Sequence, residues 1–257
     1  MQLGFIGTGE ITSSIVTGLS LSPSGAHSIW LSPRNSVLAH GLAQRFQGIS
    51  VASSNQEVLD HSDTIVIAVR PPVARDVLAE LRFRRDHQVV SAVSGLSYQS
   101  LSVLIAPAVR IARAVPLPSA AKRLSPTAIY PHDPVALELF AAVGTAFSVE
   151  KESEFDAICA ATATVASYFE FNGTIASWLE KQGVPASQAR DYVARLFFGE
   201  ATSAIETPDR SFQSLAASHT TVGGINEQIL KSLVEGGVMT RVSEALDAVL
   251  HRITARV

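Results

Sequence analysis

Hydrophobic positions in the first 150 residues come in short runs separated by stretches of helical length. Leu3 to Ile6, Ser28 to Leu31, Thr64 to Val69, Val89 to Val93, Val109 to Ala112 and Ala128 to Tyr130 have strand length, and Glu10 to Leu19 reads as a helix following the first of them. Alternation of this kind predicts an α/β fold, a doubly wound parallel sheet with right-handed crossovers. After residue 150 the pattern changes. Tyr192, Val193, Leu196, Phe197 and Ala201 recur at helical spacing, as do Val242, Ala245, Leu246, Val249, Leu250 and Ile253. These predict amphipathic helices whose apolar stripes pack on each other or on a second subunit. Proline follows the same division, because it breaks helix interiors: ten of the 12 prolines precede residue 150, and only Pro185 and Pro208 follow it. A domain boundary is therefore predicted near Val149 to Glu152, giving domains 1–150 and 151–257.

Composition narrows the class. Hydrophobic residues make up 47% of the 257 positions and charged residues 17%, against roughly 25% charged in an average globular protein, which excludes disorder. The formal charge is −3, with no basic cluster interleaved with aromatics, so a nucleic-acid partner is disfavoured. Cys159 is the single cysteine, which excludes a disulfide framework and a cysteine-built metal site. The first strand begins at Gln2, leaving no room for a signal peptide. The longest low-charge stretch, Ala157 to Phe171, carries Thr162, Thr164, Ser167 and Glu170, which argues against a membrane span. A soluble, cytoplasmic protein is expected.

Gly4-Phe5-Ile6-Gly7-Thr8-Gly9 closes the first strand and opens the following helix. Gly7 suits the tight turn, and Gly9 lets a pyrophosphate approach the backbone while the next amides, from Glu10 and Ile11, face the anion. Thr12 stands at the third glycine position, which predicts somewhat looser packing of helix on strand. The bland alternative is an ordinary strand-to-helix turn. The second strand ends in Ser32, Pro33, Arg34, Asn35 and Ser36. A carboxylate here would bind the ribose 2′-hydroxyl of NAD. None is present, and Ser32, Arg34 and Asn35 offer a hydroxyl, a guanidinium and an amide to a 2′-phosphate, which favours NADP(H); Ser, Pro and Asn are also turn residues. Ala68-Val69-Arg70-Pro71 and Ser94-Gly95 close two further strands, where doubly wound sheets bind ligands. Either could be punctuation alone.

Taken together, Gly4 to Gly9, Ser32 to Asn35, Ala68 to Pro71, Arg113-Ala114-Val115-Pro116 and Leu139 to Gly144 leading to Asp156-Ala157 resemble the pyrroline-5-carboxylate reductase family over nearly the whole chain. The resemblance implies NADPH-dependent reduction of a cyclic imine to an amine, proline being the family's product. It also implies a Rossmann-type domain followed by an all-helical substrate and dimerisation domain that interlocks with that of a second subunit in a homodimer. Departures are as informative. After its arginine the family reads Met-Pro-Asn-x-Pro, whereas Val115-Pro116-Leu117-Pro118 stands here. Its Ser-Gly-Ser-Gly-Pro-Ala-Tyr stretch is represented by Thr162 to Tyr168, which keeps only the tyrosine. The family's carboxylate-binding Ser-Pro-Gly-Gly-Thr-Thr loop corresponds to Ala216, Ala217, Ser218, His219, Thr220 and Thr221, which keeps the threonines and loses the glycines.

By that resemblance Thr221 is the hydrogen-bond partner of the imine nitrogen, with Thr220 lining the same pocket; the structural alternative is a helix N-cap ahead of Val222 to Leu233. His219 can donate a proton to the amine or, when protonated, hold a carboxylate in place of the lost glycine amides, or else serve structurally. The other six histidines (His27, His40, His61, His87, His132 and His251) show no metal-ligand spacing, and no metal is expected. No serine sits in a G-x-S-x-G turn, and Cys159 lies among alanines, so covalent catalysis is disfavoured. Gly223, Gly224, Asn226 and Glu227 either shape the far side of the pocket or form a solvated helix start. The alternatives to proline-type chemistry are another imine or carbonyl substrate, or a silent NADP(H) sensor.

Overall fold

The computed structural model describes residues 1–23 and 27–255. Its compact units are Met1–Ala160 with Leu250–Val257, and Ala161–Val249. The first unit is built on β1 (Gln2–Ile6), α1 (Glu10–Ser20), β2 (Ser28–Leu31), α2 (Ser36–Arg45), β3 (Ile49–Val51), α3 (Asn55–Asp60), β4 (Thr64–Ile67), α4 (Pro71–Ala79), β5 (Gln88–Ser91), α5 (Tyr98–Leu104), β6 (Arg110–Ala114), β7 (Ser125–Tyr130), α6 (Pro134–Ala141), β8 (Gly144–Ser148) and α7 (Glu152–Thr162). The sheet runs in the order β3-β2-β1-β4-β5-β6-β7-β8.

Strands β1 to β6 are parallel, and the central β1, β4 and β5 are buried on both faces. Leu3, Phe5, Val66 and Val90 face one apolar cluster, while Ile6, Ile65, Ile67 and Val89 face the other. That two-sided burial is why these strands read as continuous apolar runs. The winding reverses at β1, and register aligns the strand ends there: Phe5 pairs with Leu31 and Ile6 with Ile67. Three loops therefore leave the sheet side by side at the switch point where such folds bind ligands.

Two strands and one direction depart from expectation. β3 has three residues, and the edge strand β8 is largely solvent-facing, so neither carries an apolar run. β7 is antiparallel to β6. Between them residues 115–124 hold only a 3-10 turn, Pro118–Lys122, and a parallel return needs a crossover of about a dozen residues or more. The predicted strand Thr64 to Val69 ends at Ile67, which frees Ala68 to Arg70 as a loop. The expected loosening at Thr12 does not occur: its side chain is fully buried, and its hydroxyl donates to Gly7 O at 2.5 Å. Close packing of α1 falls instead at Gly18, where an added Cβ would collide with Ala120 O.

From Glu152 onward the chain is helical without further strands, and the first compact unit continues to Ala160 rather than ending near the boundary expected at Val149 to Glu152. The reason lies on α7, where Phe155 and Cys159 pack with Ala128, and Glu152 and Asp156 pair with Arg113 of β6. Ile253 rests against the same small cluster. The second unit carries α8 (Thr164–Lys181), α9 (Ala186–Glu206), α10 (Phe212–Ser218), α11 (Ile225–Glu235) and most of α12 (Val238–Thr254). Gly183, at φ +94°, ends α8, and Phe171 meets Phe197 edge to face at 5.8 Å between α8 and α9.

Candidate functional site

At the β1–α1 turn the two glycines have separate tasks. Gly7 adopts φ +98°, and a Cβ there would lie 2.7 Å from Ala68 O and 2.8 Å from Val69 Cγ1, so this glycine lets the β4–α4 loop pack against the turn. A Cβ on Gly9, by contrast, would meet nothing within 4 Å. Gly9 caps α1 without a side-chain hydrogen bond, and the first helical bond runs from Ser13 N to Gly9 O at 2.9 Å. The amides of exposed Glu10, half-buried Ile11 and buried Thr12 thus precede the helix's own ladder and border open space, an arrangement that accepts an anion.

Ser32 is tied to the glycine turn. It is 1% exposed, and its Oγ accepts from Gly7 N at 2.8 Å and lies 3.1 Å from Thr8 Oγ1, which itself donates to Ser32 O at 2.8 Å. This hydroxyl holds the glycine turn through its bond from Gly7 N. Arg34 and Asn35 are exposed. Asn35 Oδ1 lies 3.4 Å from Leu38 N, a long cap on α2. Arg34 has no ion-pair partner among the described residues, so its charge is available at a strand end lacking a carboxylate.

Ala68 and Val69 are half-buried against Gly7, whereas Arg70 is exposed at the N-cap of α4, with Pro71 as the first helical residue. Ser94 is exposed and Gly95 takes φ +73°. These two loops enclose a cavity of about 330 Å³ lined by Pro71, Pro72, Ser94, Gly95, Leu96 and Arg75. Sequence reasoning passed over Arg75. Its signal was available, since position 75 lies one helical turn after Pro71 and faces the same side. Its Nη2 lies 3.4 Å from Ser100 Oγ. The first unit thus brings the whole set from Gly7 to Gly95 to one end of the sheet.

In the second unit, His219, Thr220 and Thr221 fall in the α10–α11 connection. The N-cap alternative for the threonines fails because α11 starts at Ile225 with Gly224 as its cap. Thr220 Oγ1 is spent on Ala216 O at 2.7 Å. Thr221 Oγ1 makes no hydrogen bond among the described residues, and Gly224 leaves room for it, since a Cβ there would collide with that oxygen. Asn226 and Glu227 fold back on the connection, Asn226 Nδ2 donating to His219 O at 2.9 Å and Gly223 N donating to Glu227 Oε2 at 2.6 Å. His219 Nε2 lies 3.5 Å from Glu200 Oε2, a carboxylate on α9 that only the fold brings to it. The pair borders a cavity of about 400 Å³ within this unit, lined mostly by apolar side chains such as Phe197, Phe212 and Leu215, with Tyr168 and Ser203 also on its wall. No helix among the described residues is long and apolar enough to cross a membrane.

Residues 2–95 match the family described as NADP oxidoreductase, coenzyme F420-dependent, and residues 152–255 match the family described as pyrroline-5-carboxylate reductase dimerisation. A pyrroline-5-carboxylate reductase from Vibrio alginolyticus is 26% identical over 261 residues, spanning 98% of this chain and 96% of its own. Among solved structures, the 1-pyrroline-5-carboxylate reductase of Streptococcus pyogenes superposes with a TM-score of 0.86 at 23% identity, covering 99% of this chain and 98% of that one. The Plasmodium falciparum pyrroline carboxylate reductase, solved with NADP bound, gives 0.85 at 20% identity over 100% and 98%. At these identities the superpositions establish the fold.

Proposed function

This chain belongs to the pyrroline-5-carboxylate reductase family, and from that premise we propose that it reduces a cyclic imine with NADPH, as in the conversion of pyrroline-5-carboxylate to proline. The observation that carries the reading is the β1–α1 turn, where uncapped amides border open space at Gly9 beside a strand end that offers Arg34 and no carboxylate.

The residues present fit NADPH. The amides after Gly9 would hold the pyrophosphate, Arg34 with Asn35 the 2′-phosphate, and the loops at Ala68–Pro71 and Ser94–Gly95 the ribose and nicotinamide. When bound, NADPH supplies the hydride that reduces the C=N carbon. The protein's own work is to orient the imine and to manage one proton. Thr221 Oγ1, free of other bonds, is the hydroxyl that contacts the imine nitrogen, while Thr220 braces the turn through Ala216 O. His219 Nε2, facing Glu200, holds a proton for the nascent amine.

A second reading concerns the substrate. Glu200 would offset a charged His219 and oppose a substrate carboxylate, and the adjoining cavity is mostly apolar; both favour a cyclic imine without a carboxylate. The same proposal includes a cytoplasmic homodimer formed through the helices after α7. Phe198 is 71% and Ile205 79% exposed on α9, apolar surface that a partner subunit would cover. The test is NADPH oxidation over a panel of cyclic imines with and without a carboxylate. Turnover of pyrroline-5-carboxylate is expected; turnover confined to imines lacking a carboxylate selects the second reading, and silence across the panel despite NADPH binding rejects both.

A further inference from the structure

Arg113 is the largest fully buried side chain among the described residues, at 1% exposure on β6. A charge that deep persists only when it is paired. Its Nη1 donates to Glu152 Oε1 at 2.6 Å, its Nη2 lies 3.0 Å from Asp156 Oδ1, and its guanidinium stands 4.4 Å over the Phe155 ring. Both carboxylates come from one face of α7, one turn apart.

The two carboxylates are not equivalent. Asp156 Oδ1 faces the arginine by charge alone, without hydrogen-bond alignment. Glu152 Oε1 accepts a second bond, from Tyr98 N at 2.6 Å. Pairing the arginine does not require that bond. Tyr98 opens α5, and the residues just before it, Ser94, Gly95 and Leu96, line the cavity beside Pro71. Ser97 supplies a further backbone anchor at this helix start, its Oγ accepting from Ser100 N at 3.1 Å, while the Tyr98 ring meets Tyr130 edge to face at 6.0 Å. Arg113 thus orients Glu152, and Glu152 fixes the backbone on which the Ser94–Gly95 loop ends.

We propose that Glu152 is a positioning residue for the cofactor: held by buried Arg113, it pins Tyr98 and thereby sets the Ser94–Gly95 loop, while Asp156 serves only to balance the arginine's charge. This rests on the reductase reading, in which that loop flanks the nicotinamide. The test measures amide hydrogen exchange across α5 and NADPH affinity in the full-length wild-type protein, Glu152→Ala, Asp156→Ala and Glu152→Gln.

Loss of a charge-assisted hydrogen bond corresponds to about a tenfold change or more. Glu152→Ala is expected to raise Tyr98 exchange and the NADPH Kd about tenfold, with kcat at saturating NADPH nearly unchanged. Asp156→Ala is expected to move neither beyond about twofold, although both alanine variants melt earlier. Glu152→Gln keeps an acceptor oxygen and should fall between wild type and Glu152→Ala, which supplies the comparison even if the alanine variant is insoluble. Wild-type exchange in both Glu152 variants, or Asp156→Ala matching Glu152→Ala, overturns the inference. Absence of NADPH binding in the wild-type protein overturns the reductase reading instead, and the two are told apart because exchange needs no cofactor.

Discussion

Replacing Ser32 by alanine separates a residue that builds the cofactor site from one that touches the cofactor. The substitution removes the oxygen that accepts from Gly7 N at 2.8 Å, in a place where Ser32 is 1% exposed and water has no ready access. Thr8 Oγ1 keeps its 2.8 Å bond to Ser32 O, so the unsatisfied group is the Gly7 amide. A buried donor left without a partner costs about 1–3 kcal/mol, or roughly 5- to 150-fold in the unfolding equilibrium. Urea denaturation at constant m-value should show a loss of that size. Parallel titrations should show NADPH and NADH weakened by the same factor, because the turn serves the pyrophosphate common to both. Arg34→Ala is the contrast, expected to weaken NADPH about tenfold or more and to leave NADH unchanged. A Ser32→Ala destabilisation below about 0.5 kcal/mol, or an affinity loss confined to NADPH, refutes the reasoning and makes Ser32 a phosphate ligand.

Three further outcomes follow from the geometry. His87 is fully buried; Arg84 N donates to its Nδ1 at 3.0 Å, which places the proton on Nε2 facing Leu59 O at 3.2 Å. Burial, then the Arg84 charge, hold its pKa below the ordinary 6.5, so the unfolded chain binds the proton more readily. Its contribution to stability is complete above about pH 6.5 and declines as pH falls toward the lowered native value. Denaturation midpoints from pH 7.5 to 5.5 should therefore drop, and a flat or rising profile on acidification would contradict this. Gly18→Ala should destabilise by about 1–3 kcal/mol by thermal melting despite alanine's better helix propensity, because the new methyl collides with Ala120 O; a stabilised variant would show that α1 can shift. Thr221→Val should lower turnover at least about tenfold with the melting temperature unchanged, whereas Thr220→Val, which breaks the bond to Ala216 O, should mainly lower the melting temperature; equal turnover in Thr221→Val and wild type removes the catalytic role.

The central strands and the β1–α1 turn were legible in the sequence because their signals are local: apolar runs, and glycines immediately after the first of them. β8 was illegible because an exposed edge strand needs no apolar run, and the reversal at β7 depended on the length of a connection that only counting residues 115–124 between two known strands could reveal. Within the site, residue type pointed to a place and left the contacts open. Ser32 reads as a phosphate ligand in sequence, yet whether a serine at a strand end faces solvent or its neighbouring turn depends on a contact with Gly7, 25 positions away. Glu200 and Glu152 were missed for the same reason. Nothing next to Glu200 marks it as a partner of His219, and Glu152 meets Arg113 across 39 residues.

The most direct test of the central claim is to follow deuterium from NADPH labelled at the nicotinamide C4 during reaction with pyrroline-5-carboxylate. Hydride transfer to the C=N carbon predicts proline carrying one deuterium at C5 for each labelled NADPH consumed. NADPH that binds and is consumed without deuterium appearing at that carbon, or is not consumed at all, would contradict the account.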